Sequence, residues 1–425
     1  MKKNYFLMLS FMLFAAWGFS QITAEEVLVG NGGQYGNEAD HVSLTSINPD
    51  DYSSSFVGEI IRESIQDMVI DGQYAYLAAE DSIAKFDLIA KTKVAQVYES
   101  NLSRLAFVNN QLLVSRRSDI NGPPADGIYL KAYDADLNFI SQAEGIPTDA
   151  SDIAVVNDSI YLAIPGDWQA TEGQMAIISA DFSFMRILNL GASAVGLYDL
   201  FYDNNKIYTV NKTPYGLTVG SVSTYDIETA TYTTQVIENV VGKGVYLKDD
   251  ILYLGLDYGI GSYNISSNEV INNQIVPDPG SATYISIAGA AYDYINEHIY
   301  VSITDYFSFG QGKVYDLEGN EIAAFEAGIS AEAIKVRYKD HTLVPELAAT
   351  SVKTYPNPCR DFITIQSQNP ILSVRIISQL GQEISHTAAS GEIQKRVDLH
   401  RLKNGLYILQ IESTQGIVTK SILKQ

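Results

Sequence analysis

An all-β chain is what three features of the sequence predict: a seven-bladed β-propeller, a ring of four-stranded sheets, followed by a small immunoglobulin-like β-sandwich. A tyrosine-centred strand returns at nearly constant spacing from Tyr76 to Tyr300. Turn pairs that favour φ > 0, such as Asp-Gly and Asn-Asn, stand before it. Near Lys353 the charge changes sign and two closely spaced prolines open a new alternating pattern.

The recurring strand cores are "QYAYLA" (Tyr76), "NQLLVS" (Leu113), "DSIYLA" (Tyr161), "NKIYTV" (Tyr208), "DILYLG" (Tyr253) and "EHIYVS" (Tyr300), spaced by 37, 48, 47, 45 and 47 residues. Each is followed by a variable loop and a strand ending in an aromatic-Asp or aromatic-Asn pair, as at Phe86-Asp87, Tyr133-Asp134, Tyr225-Asp226, Tyr263-Asn264 and Tyr315-Asp316. The third repeat departs from this with Ile178-Ser179. Four short strands at this period form a propeller blade, whose apolar faces must stack on neighbours. Six blades are complete. "AIKVRY" (Ala333–Tyr338) reads as a lone innermost strand, while "EVLVGNGG", "HVSLTSIN" and "SSFVGEII" near the N-terminus lack one. Leu28 lies 48 residues before Tyr76, in phase, so joining the two ends supplies a seventh blade and removes both sheet edges. Residues 26–338 then give about 45 residues per blade.

Residues 1–20 read as a secretory signal peptide: Lys2 and Lys3 precede an apolar run from Tyr5 to Trp17, with small residues before Gln21. That run is short for a membrane span, and no transmembrane segment is expected once it is removed. The chain carries 28 basic and 50 acidic residues, a net charge of −22, which excludes nucleic acid as a main partner. Cys359 is the single cysteine, so no internal disulfide forms, and the five histidines show no metal-ligand spacing.

From Lys353 to Gln425 basic residues outnumber acidic ones, nine to five, whereas the stretch between signal peptide and module is strongly acidic. Two regions of opposite sign are read as two domains, with 339–353 as linker and 354–425 as the second domain. Phe362–Ile365, Val374–Ile377, Leu406–Ile411 and Ile417–Leu423 read as its strands. Pro356 and Pro358 restrict the approach to an extended path.

The second-to-third-strand loops are the long ones: "VGNGGQYGNEADH", "SRRSDINGPPADG", "PGDWQATEGQ", "NKTPYGLTVG" and "TDYFSFGQG". In a propeller they emerge on one face, which makes that face the binding surface. Its candidate ligand residues are Tyr35, Arg116, Arg117, Trp168, Tyr215, Tyr306 and Phe307, aromatics and arginines suited to a small molecule, a glycan or a protein partner. No catalytic constellation stands out, and no cofactor is required. Asp257, Asp305 and Asp316 are the carboxylates on offer to calcium, without D-x-D-x-D-G spacing.

Two resemblances sharpen this reading. "VLVGNGGQYGNEADHVSL", "QDMVIDGQYAYLAAEDSIAKFD" and "HIYVSITDYFSFGQGKVYDLEGNEIAAFEAGISAEA" resemble the YncE-like, quinoprotein-amine-dehydrogenase-like seven-bladed propellers of Bacteroidota. One tryptophan, Trp168, survives signal removal, so a quinone cofactor is not expected. "YPNPCRDFITI…VRIISQLGQEI…VDLHRLKNGLYILQIESTQGIVTKSILKQ" resembles the type A C-terminal sorting domain of type IX secretion cargo. The matching positions are Tyr355, Pro356, Asn357, Pro358, Leu380-Gly381, Leu402, Asn404, Gly405, Leu406, Tyr407, Gly416 and Lys420. The second resemblance implies the type IX machinery as a partner, passage through the periplasm, and release or attachment at the cell surface. Three function classes stay open: a binding module without catalysis, which is favoured; a scavenger resembling the surface cobalamin-binding propellers of related bacteria; and a propeller-type hydrolase or lactonase.

Overall fold

The computed structural model describes residues 22–425 apart from 35, 38–39, 167–169, 341–351, 379–382, 401 and 415. The segment read as a signal peptide, Tyr35, Trp168, Leu380-Gly381 and most of the expected linker therefore lie outside the described residues. The chain divides into two compact units, one of Ala24–Lys339 and one containing Asp340–Gln425.

The first unit consists of seven four-stranded antiparallel sheets. Blade 1 has the order Ile329–Asp340, Ile22–Gly32, Val42–Ile47, Ser54–Ile60, so the last strand of the unit is the innermost strand of the first sheet. This is the composite blade that the phase of Leu28 predicts. The innermost strands of blades 2 to 7 are Ile65–Asp71, Leu102–Val108, Ile153–Val156, Leu197–Asp203, Val241–Lys248 and Ser286–Asp293, neighbours of one another around a central channel.

The repeated aromatic residues form the core between blades. Tyr76, Tyr161, Tyr208, Tyr253 and Tyr300 are buried, as are Phe86, Tyr133, Tyr225, Tyr263 and Tyr315 at the third-strand ends. Tyr76 Oη donates to the Ala135 carbonyl of the next blade at 2.9 Å, so the phenol both fills the interface and satisfies its own polar atom. The hairpins between first and second strands use the left-handed conformation at both turn residues in Asn109-Asn110, Asn204-Asn205 and Asp249-Asp250. Asn and Asp tolerate that region best among residues with a Cβ, and its twist matches that of the flanking strands.

Closure of the ring is polar as well as apolar. Arg337, on the innermost strand of blade 1, donates from Nε to Glu26 at 2.6 Å and pairs through Nη1 with Glu25 at 2.7 Å. Glu26 also accepts from the Ser46 hydroxyl. Asn31 Oδ1 takes the Gly328 N–H at 2.8 Å. Val27, Val29, Ala331 and Ile334 pack beside these groups.

The second unit is a sandwich of a three-stranded sheet (Val352–Tyr355, Phe362–Ser367, Gln394–Asp398) and a four-stranded one (Glu383–Ala388, Ile371–Ser378, Gly405–Ser413, Gly416–Lys424). Its core includes Ile363, Ile365, Val374, Ile376, Leu409, Ile411 and Ile422. Val352–Tyr355, Glu383–Ala388 and Gln394–Asp398 are strands that the hydrophobic pattern does not predict. They are short and carry polar residues, and each ends its sheet's order, where polar side chains discourage further pairing. The Tyr-Pro-Asn-Pro run is zipped to the final strand. Asn357 donates from Nδ2 to the Ser421 carbonyl and accepts the Leu423 N–H at Oδ1, both at 2.9 Å. Its amide thereby replaces the backbone pairing that its proline neighbours cannot offer. The Cys359 N–H donates to the Leu423 carbonyl at 2.8 Å. The Cys359 thiol is buried, and burial pushes its pKa up, in keeping with an inert side chain.

Arg337→Ala leaves Glu26 in a largely buried site without its cation, and is expected to cost about 3 kcal/mol of stability. Chemical denaturation checks this. Arg337→Met combined with Glu26→Gln should recover part of the loss, because position 26 then carries no charge and Glu25 keeps Lys339 at 3.3 Å.

Candidate functional site

Residues of all seven blades surround a cavity of about 360 Å³ in the channel. The same part of each innermost strand faces it: Asp67, Arg104, Asp199, Lys243, Ala288 and Glu332, with Asp152 just before the blade 4 strand. Register shifts mark five of these strands here, between Ile65 and Asp67, Leu102 and Leu105, Leu197 and Asp199, Val241 and Gly244, and Ile287 and Gly289. A bulge takes a residue out of the ladder and re-aims the groups beside it.

Three carboxylates use this arrangement to link neighbouring blades. Asp67 accepts the Leu105 N–H at 2.9 Å, Asp152 the Leu200 N–H at 2.9 Å, and Asp199 the Gly244 N–H at 2.7 Å. Asp152 also accepts the Ile153 N–H at 2.9 Å. Burial and the adjacent Asp199 push the Asp152 carboxyl up to about 6.

The cations are held differently. Arg104 Nη1 is 3.5 Å from Asp67 and Nη2 3.7 Å from Asp199, both longer than a charge-assisted hydrogen bond. Its guanidinium lies 5.1 Å from the centre of the Tyr198 ring, and the Lys212 ammonium lies 4.3 Å from the same ring. Burial opposes the Arg104 charge, but Tyr198 and the surrounding carboxylates outweigh it and raise its pKa. Burial would raise Tyr198, yet Arg104, Lys243, Lys212 and Arg117 together lower it. Burial lowers Lys212, and Lys243 and Arg104 add to that effect. Lys243 stands 3.7 Å from Glu332 and donates to the Ala288 carbonyl at 3.4 Å.

Tyr258 and Tyr306 complete the lining. Both take φ > 0 in second-to-third-strand turns, which places their rings partly exposed beside the channel. Tyr306 comes from the candidates read in the loops. Arg117 is exposed and near enough to Tyr198 to affect it. Tyr215 and Phe307 are exposed on their loops and are not part of the cavity lining.

Arg116 is placed otherwise than a ligand-facing residue requires, being only 2% exposed. It pairs with Glu99 at 3.0 Å and Asp126 at 2.7 Å, and donates to the Ser100 and Ile128 carbonyls at 2.9 and 2.7 Å. Lys131 joins both carboxylates, and Tyr133 donates to Glu99. Burial would raise Asp126, but hydrogen bonds from Lys131 and Arg116 hold it far below the usual range. With its donors spent, Arg116 ties the end of blade 2 into blade 3.

The carboxylates Asp305 and Asp316 cap their turns, accepting from Phe307 and Ser308 and from Asn320, while Asp257 accepts from Asn239 and Val240 in the segment before the first strand of its blade. Among the described residues no three His, Cys, Asp or Glu side chains gather to hold a metal ion. The channel residues escape a reading of loops alone, yet a sequence signal exists. Asp67, Arg104, Asp152 and Asp199 each lie nine positions before the second-strand core residues Tyr76, Leu113, Tyr161 and Tyr208.

Among known proteins, a family described as "Secretion system C-terminal sorting domain" matches residues 353–425. The C-terminal module is a type IX sorting domain. Such a domain directs export to the cell surface or the extracellular space; among the described residues no helix is long and apolar enough to cross a membrane. The motif residues Tyr355 to Pro358, with Asn357 clasped to the last strand, belong to it, as do Asn404, Gly405, Tyr407 and Lys420. No curated protein sequence matches the chain.

Solved structures are similar at the level of fold. A putative 6-phosphogluconolactonase from Bacteroides fragilis superposes with a TM-score of 0.54 at 10% identity, covering 74% of this chain and 98% of that one. A hypothetical selenium-binding protein from Sulfolobus tokodaii gives 0.52 at 11% identity, over 75% and 91%. PorZ, a surface component of the type IX secretion system of Porphyromonas gingivalis, gives 0.48 at 12% identity; the chain covers 58% of its length and is itself covered to 94%.

The folded chain holds the Asp152 proton more tightly than the unfolded chain, where an Asp titrates near about 4. Its contribution to stability is therefore fully present below that value and lost as pH rises through about 6. Asp152→Asn removes the charge and keeps an oxygen for the Leu200 N–H. Its NH2 meets the Ile153 N–H, a cost that does not vary with pH, so the difference in Tm between variant and wild type is expected to start in the wild type's favour at pH 4 and to shift towards the variant by pH 7. A difference that stays flat across this range would show that the ionised carboxylate is well accommodated.

Proposed function

We propose that the protein is an exported binding protein whose propeller receives a small polar molecule in the channel beside Tyr258 and Tyr306. The observation that carries this reading is the cavity itself, where seven blades converge charged groups and two aromatic rings on one space. An apolar cavity of about 150 Å³ holds one benzene, so this one seats a molecule of roughly two six-membered rings. A corrinoid would instead have to rest on the surrounding loops, which makes the cobalamin-scavenger alternative the weaker one.

A hydrolase or lactonase reading has one observation in its favour, the raised Asp152. Both of its oxygens, however, accept backbone N–H groups, and among the described residues no histidine lines the cavity. The likeness to a putative lactonase concerns fold and supplies no residues. Binding without catalysis is the simpler use of these groups. Kinship with the YncE-like propellers is part of the same proposal and rests on the sequence resemblance.

Saturation-transfer NMR of the full chain with monosaccharides, sugar acids and amino acids tests this reading. Hits are expected to weaken by about 1 to 3 kcal/mol in Tyr306→Ala, with Tm almost unchanged because the ring is only partly buried. Hits that persist unchanged in both Tyr306→Ala and Tyr258→Ala would place the site elsewhere.

A further inference from the structure

We infer that Arg104 and Lys212 form a subsite for the carboxylate of a ring-bearing acid, a deepening that rests on the channel-binding reading above. The channel's aspartates and its cations are unequally committed. Asp67, Asp152 and Asp199 are bound to N–H groups of neighbouring blades at 2.7 to 2.9 Å. Among the described residues no carboxylate reaches the Arg104 guanidinium closer than 3.5 Å and none forms an ion pair with Lys212. Both cations instead flank the Tyr198 ring and line the cavity. Both thus border a space that an oxyanion can fill, in a chain whose net charge is −22.

Charge balance selects a carboxylate over a phosphate. Four acidic side chains line the same cavity beside four basic ones, Arg104, Lys212, Lys243 and Lys335, so the lining is close to balanced and a second negative charge on the ligand gains less than the first. Tyr258 and Tyr306 supply flat surfaces for the body of the ligand. The class is a small cyclic carboxylic acid, either a sugar acid or an aryl acid.

Calorimetric titration of the full chain with D-glucuronate, benzoate, D-glucose and inorganic phosphate distinguishes these sources. At least one of the two carboxylates is expected to bind about tenfold more tightly than glucose and phosphate, and to weaken as salt is raised. Lys212→Met, which keeps the apolar stem against Tyr198, should lose that tenfold advantage, and Lys212→Arg should restore most of it. Equal affinity for the acid in wild type and Lys212→Met, or tighter binding of phosphate, overturns the subsite. Glucose bound as tightly as glucuronate and lost in Tyr306→Ala would overturn the subsite while leaving the channel reading in place. Absence of binding by either carboxylate overturns the subsite, and the NMR screen then decides the channel reading separately.

Discussion

The pairing of Ile329–Asp340 with Ile22–Gly32 is the constraint on which the propeller depends. Two chain segments some three hundred residues apart in sequence must meet before any blade has neighbours on both sides. Left open, the ring would present two sheet edges and two apolar blade faces to water. The meeting is secured by apolar side chains and by a charged latch, in which Arg337 neutralises Glu26 and Glu25 while Asn31 takes the Gly328 N–H. Without the cation, Glu26 would be a carboxylate left in a largely buried site, so the latch makes closure specific as well as favourable.

Closure also creates the site. Only a complete ring brings Glu332 on the last strand within reach of Lys243 in blade 6 and encloses the channel between them. The bulges that bend the innermost strands leave groups that Asp67, Asp152 and Asp199 use to join blade to blade. The same residues line the cavity, so the groups that join the blades also set the channel's polarity. This explains how a chain so acidic can offer a cationic spot: its nearest carboxylates are engaged by the backbone, and Arg104 and Lys212 are not matched one to one.

Much of the fold is legible in the sequence because the propeller repeats one physical solution. A buried phenol on five of the seven second strands, replaced by Leu28 and Leu113 on the other two, and a left-handed turn residue before it leave a signature that survives variation in the loops. Even closure can be read, since Leu28 keeps the phase of Tyr76. The sandwich is half legible: its central strands alternate cleanly, while edge strands such as Gln394–Asp398 are polar and look like loop. The site is less legible. Tyr306 can be found from its loop, but Arg116 stands at the end of a strand, and its acidic partners Glu99 and Asp126 lie in other parts of the chain. Adjacent Arg117 has the same local sequence and opposite exposure, a difference set by tertiary contacts alone. The channel charges become visible only when first strands are aligned on the tyrosine of the next strand, a register that hydrophobic periodicity does not reveal.

Hydrogen–deuterium exchange of the full chain tests closure most directly. Amides of Ile22–Gly32 and Ile329–Asp340 are expected to exchange as slowly as those of Ile65–Asp71 in blade 2, since all three segments then lie in one cooperatively closed ring. Rapid exchange of both terminal strands beside protected strands in blades 2 to 6 would contradict the account.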